Sequence, residues 1–167
     1  MSSSSSSTVT AQGLPTVLSD LPPIFTALYQ SKVTKKLSFE QIASAIGRNE
    51  WYTAAIFYGQ AKPDKDDLDK LSKALDVPRE ELETNLGEHF YPNRGVGEWP
   101  PKDPVVYRLY EALLVYAHPL KAIIHEKFGD GIMSAIDFYG DVEKVPDPKG
   151  DRVKITFNGK FLPYKRW

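Results

Sequence analysis

The chain of 167 residues contains no cysteine, which excludes a disulfide framework and a thiolate metal site and suits a reducing compartment. Net charge is equally scarce. The 21 Lys and Arg against 22 Asp and Glu leave a formal charge of -1, so no long-range positive field gathers nucleic acid or anionic membrane, and any anion must be captured locally. No apolar run approaches the roughly 20 residues that cross a bilayer. No Arg precedes Arg48, and the serine run from Ser2 to Ser7 leads into Thr8-Val9-Thr10 rather than an apolar h-region, which argues against a secretory signal or a transit peptide. Residues 1–14 read as a disordered Ser-rich tail on a soluble, cytoplasmic protein.

What the chain does have is helical patterning over residues 15–90. Ile24, Phe25, Leu28 and Tyr29 recur at helical spacing, and Ser38-Phe39-Glu40-Gln41 is a capping box that starts a helix carrying Ile42, Ala43 and Ile46 and stopping at Gly47. Asn49 caps a further helix through Trp51 and Ala55 to Gly59, Leu68, Leu71 and Leu75 mark a fourth, and Pro78 opens a fifth with Leu82 and Leu86. This layout resembles the helix-turn-helix domain of phage-repressor type, which implies DNA binding as one reading. The second helix of that motif, however, offers Asn49, Glu50, Trp51, Tyr52 and Thr53, with no Lys or Arg before Lys62 to reach bases or phosphates. A packing and assembly module is the favoured reading, since a fold does not fix a function.

Residues 91–103 are dense in Pro and Gly and read as a connector. In residues 104–167, Asp103 as N-cap and Pro104 at the first position start a helix predicted to run to about Ala117, where His118-Pro119 breaks or kinks it. Val106, Leu109, Tyr110, Leu113 and Ala117 share one side and read as a core stripe. Arg108 and Glu111 are neighbours on the opposite side, together with Ala112 and Val115 instead of further charges. A helix apolar nearly all round is too much for so small a domain to cover alone, so an obligate oligomer is expected. Further on, Ile136 to Tyr139 and Val142 suggest an extended run, Val145 to Gly150 a turn-rich link, and Val153 to Phe157 a strand. Asn158-Gly159 is the strongest short hairpin signal and predicts a turn there, with Lys160-Phe161-Leu162 returning. One hairpin is marginal alone and needs a second sheet or a partner chain.

Arg108, Glu111 and a Gly-preceded hydroxyl, Ser134 after Gly129-Asp130-Gly131, form a candidate site, because charges in apolar surroundings are costly unless paired or used. Arg and Glu three apart are, taken alone, most often a surface ion pair. Ile132-Met133-Ser134-Ala135-Ile136 lacks the Gly-x-Ser-x-Gly elbow of serine hydrolases. His118 and His125 straddle Pro119 without a third ligand, so packing outranks zinc there.

From Tyr107-Arg108 through Tyr110-Glu111, Leu120-Lys121-Ala122, His125 to Gly131 and Ser134-Ala135-Ile136, to Asp147-Pro148 and Asn158-Gly159-Lys160-Phe161-Leu162-Pro163, the last third of the chain resembles the cyanase family, the cyanate hydratases. The resemblance implies an α+β chain: a repressor-like helical bundle not used to read DNA, then a small α/β catalytic segment with a hairpin, intertwined between subunits in a decamer of five dimers. It implies Arg108, Glu111 and Ser134 as the catalytic set. The implied reaction joins cyanate to bicarbonate, the co-substrate, and yields carbon dioxide and carbamate without metal or organic cofactor. The competing reading is a repressor-like DNA-binding regulator whose C-terminal region dimerises.

Overall fold

Local chemistry starts most of the helices of the computed structural model, which describes residues 15–95 and 97–167, so the Ser-rich tail expected at 1–14 lies outside the described residues. Helix α1 (Pro23–Thr34) begins with proline at its first position, and α2 (Phe39–Ile46) begins in the capping box. Gln41 N–H donates to Ser38 Oγ at 3.0 Å, and Ser38 N–H to Gln41 Oε1 at 2.8 Å. Gly47, at φ +72°, ends α2 in the left-handed conformation that glycine adopts without strain. Asn49 Oδ1 then accepts from Trp51 N–H at 2.8 Å and Tyr52 N–H at 3.2 Å to open α3 (Glu50–Phe57). A second capping box, Asp64 with Asp67, opens α4 (Lys65–Leu75), and α5 (Arg79–Leu86) follows Pro78.

These helices enclose one core of Phe25, Leu28, Ile42, Ile46, Ile56, Phe57, Leu68, Leu71, Leu75, Leu82 and Leu86, each at most 2% exposed. Phe39 meets Phe57 edge-on with ring centroids 5.2 Å apart. Arg48 ties the α2–α3 turn to the start of α4, donating to Asp67 Oδ1 at 2.6 Å and to Asp64 Oδ2 at 2.5 Å. Asp67, fully buried, is thereby paired. On the helix the sequence offered for DNA reading, the Tyr52 hydroxyl donates to the Lys62 carbonyl at 2.6 Å and so serves packing.

The described residues divide into two compact units at the Asn93/Arg94 junction. The second unit holds α6 (Pro104–Val115), α7 (Ala117–Phe128) and an antiparallel pair, β1 (Gly131–Val145) with β2 (Arg152–Pro163). The helix break falls at Tyr116, earlier than His118-Pro119. Pro119 is the third residue of α7, where a missing N–H breaks no helical bond, so it is accommodated without a kink. The Asn158-Gly159 turn is corrected by the structure. β2 runs straight through it, with Asn158 opposite Tyr139 and Gly159 opposite Phe138. The chain reverses instead around Asp147–Gly150, where Asp147 Oδ1 accepts from Lys149 N–H at 2.9 Å, Gly150 N–H donates to the Asp147 carbonyl at 3.0 Å, and Gly150 has φ +122°.

The core stripe expected on α6 is also revised. No residue of α6 or α7 is buried within the chain, and Val106, Leu109 and Leu113 line an open groove of about 410 Å³ beside Trp99 and Pro101. Two helices and one hairpin cannot supply a second layer.

Candidate active site

Asp103 Oδ1 caps α6 by accepting from Val105 N–H at 2.9 Å and Val106 N–H at 3.2 Å, which sets the helix phase from its first turn. That phase places Arg108 and Glu111 three residues apart on one side. Arg108 Nη1 donates to Glu111 Oε2 at 2.6 Å, and the guanidinium carbon lies 5.9 Å from the Tyr107 ring centre. The hydrogen bond to Glu111, and then its charge, hold the Arg108 pKa above the ordinary arginine value, so the site keeps a permanent cation. In the single chain the Arg108 side chain is 72% exposed, leaving most of its donor fork open to a ligand.

Ser134 lies in a different setting. Met133 pairs with Phe161 and Phe138 with Gly159, so the four residues Ser134–Asp137 stand against Lys160 alone in a large bulge. Ser134 is only 6% exposed, whereas Ile136 beside it is 98% exposed. The Ser134 Oγ accepts from Ile136 N–H and from Asp137 N–H, both at 3.0 Å. With both lone pairs used, the hydroxyl is left a donor, and two amide dipoles aimed at its oxygen make it a stronger one. That arrangement suits holding an anion and opposes nucleophilic use, which needs a base at the hydroxyl.

Within one chain no hydrogen bond or ion pair joins Ser134 to Arg108 or Glu111. The helix pair and the bulge are two separate groups of one unit. Neither the bulge nor the close approach of Gly159 to it is legible in the local sequence, where the Asn-Gly pair is a turn signal. Among the described residues no group of three or more His, Asp or Glu is gathered as metal ligands.

On this α+β scaffold the helix offers a cation with an open fork beside a carboxylate, and the bulge offers an amide-held hydroxyl. Comparison with known proteins gives the family. Residues 98–166 match the family model for the cyanate lyase C-terminal domain. The chain is 61% identical to a cyanate hydratase of Mycosarcoma maydis over 92% of its own length and 95% of that protein's, and 50% identical to one of Trichormus variabilis over 88% and 99%. The crystal structure of cyanase from T. urticae superposes with a TM-score of 0.73 at 34% identity, covering 84% of this chain and 96% of that one. The chain belongs to the cyanate hydratase family and is a lyase. Nothing in these relatives supports the DNA-binding reading.

Proposed function

We propose that this chain catalyses the bicarbonate-dependent decomposition of cyanate to carbon dioxide and carbamate, which decays to ammonia and carbon dioxide. The observation that carries the reading is the Arg108–Glu111 pair, bonded at 2.6 Å on an otherwise apolar helix, in a chain so close to named cyanate hydratases. Cyanate, bicarbonate and one proton balance carbamate and carbon dioxide. A bicarbonate oxygen adds to the cyanate carbon, the nitrogen takes up protons, and cleavage of a carbon–oxygen bond releases carbon dioxide.

Two unit negative charges about 4 Å apart repel by about 4 kcal/mol at an effective dielectric of about 20, so the site must offset that. Arg108 is suited to this, because its planar fork grips a carboxylate-like oxygen pair bidentately. The Ser134 hydroxyl, turned into a donor by the Ile136 and Asp137 amides, adds a second contact where charge develops. Glu111 aims the guanidinium and relays a proton from bicarbonate to the nitrogen. Holding both anions side by side supplies much of the rate through proximity. Neither a metal nor an organic cofactor enters this scheme.

The same surfaces support assembly. The exposed Val105, Leu114, Val115, Ile123 and Ile136, with a hairpin buried within the chain only at Gly131, Ser134 and Gly140, need cover. A decamer of five dimers in the cytoplasm, with Arg108 and Glu111 of one subunit meeting Ser134 of another, supplies that cover and joins the two groups. Release of ammonia from cyanate by the purified protein should require bicarbonate and survive a chelator. No release with both anions present sinks the proposal. Mixing Arg108→Ala with Ser134→Ala protein should regain activity on subunit exchange, and persistent inactivity after verified exchange would exclude a shared site.

A further inference from the structure

The bulge that presents Ser134 is held from within by the Ile136 and Asp137 amides on Oγ, while the ladder holds it loosely, its four residues facing one residue of β2. A further constraint comes from across the ladder. A Cβ built on Gly159 would lie 2.2 Å from the Ser134 carbonyl oxygen and 2.6 Å from Met133 Cγ, well inside any tolerable contact. Gly159 does not have the positive φ that favours glycine, so space rather than backbone conformation requires it here. Only a residue without a side chain lets β2 close on the Ser134 carbonyl.

Both edges of this close approach are anchored. On one side Phe161 pairs with Met133 and stacks on Phe128 with ring centroids 5.4 Å apart. On the other, Asn158 pairs with Tyr139 and its side-chain amide donates to the Tyr139 hydroxyl at 2.8 Å. Between these fixed points the bulge turns so that the Ile136 and Asp137 amides converge on Ser134 Oγ. We infer that Gly159 is a positioning residue for the reaction: by admitting β2 to the Ser134 carbonyl, it fixes the hydroxyl as a donor aimed at the bound anion. This rests on the proposed role of Ser134.

The test is a double-mutant cycle on the full-length assembled protein. Gly159→Ala and Met133→Ala are each made alone and with Ser134→Ala, with kcat, both KM values and oligomer mass measured for every protein. Gly159→Ala should lower kcat by about tenfold to a hundredfold at unchanged mass, the scale on which a shift of about 1 Å weighs on a site. In the Ser134→Ala background it should cost less than about twofold, because the group it positions is gone. A wild-type kcat, or the same fold-loss in both backgrounds, overturns the inference. Should Gly159→Ala fail to assemble, Met133→Ala gives the answer, since it removes a side chain beside Gly159 without adding bulk. It should cost several-fold alone and nothing beside Ser134→Ala, and equal losses or no loss overturn the inference as well. If Ser134→Ala alone keeps full activity, the functional reading of Ser134 is what fails. If Ser134→Ala is inactive and Gly159 is indifferent, only the positioning role is lost.

Discussion

Replacing Ser134 by alanine separates what the hydroxyl does for the fold from what it does for the chemistry, because the two effects differ in size. In the fold, Ser134→Ala removes two hydrogen bonds of 3.0 Å donated to Oγ by the Ile136 and Asp137 amides. A net bond is worth about 0.5–1.5 kcal/mol, so about 2 kcal/mol for the pair is reasonable. For a chain of this size that lowers Tm by about 4–8 °C. In the reaction, a lost donor to a developing anion costs about 2.7–4 kcal/mol, or about a hundredfold to a thousandfold in kcat. The expected result is therefore a well-assembled protein, less heat-stable and nearly inactive. Steady-state ammonia release at saturating bicarbonate, calorimetry and light scattering on the same preparation measure all three. Peptide mapping of quenched wild-type enzyme should show no cyanate adduct on Ser134, since its hydroxyl is a donor. A variant within a few-fold of wild-type activity, or an adduct on Ser134, would refute this account of the hydroxyl.

Arg108→Lys should lose most activity while the oligomer persists, because a charge remains but the fork does not; normal turnover would mean the anion clamp is wrong. Glu111→Gln keeps shape and should change the pH–rate profile of kcat, and an unaltered profile would remove Glu111 from proton transfer. At the true hairpin turn, the Asp147 carboxyl is held below its ordinary pKa by the 2.8 Å bond from Arg152 and then by the Lys149 amide. Its stabilisation is thus present above the ordinary carboxylate range and lost as pH falls through the lowered folded value. Asp147→Asn should melt below wild type near neutrality, the gap closing in acid below about pH 4. A gap that is the same at neutral and acid pH would contradict this.

The sequence alone determined whatever depends on residues within about a turn of one another. Ser38 with Gln41, Asn49 and Asp103 cap the helices they were expected to cap, since each satisfies amides two or three residues away. Helical periodicity was enough to bury Ile42, Ile46, Leu68, Leu71 and Leu75 and to set Arg108 beside Glu111. Tertiary structure decided the rest. Asn158-Gly159 meets every local preference of a tight turn, yet pairing across the ladder turns the chain at Asp147–Gly150 and uses Gly159 to approach Ser134, 25 positions away in sequence. The donor character of the Ser134 hydroxyl arises from a bulge that exists only because β1 has more residues than β2 can match. The apolar side of α6 likewise shows that burial is required without saying by what, because the cover comes from elements distant in the chain or from another chain. Short-range hydrogen bonding is written into neighbouring side chains, whereas strand register and the closing of surfaces are settled only when remote segments compete for the same space.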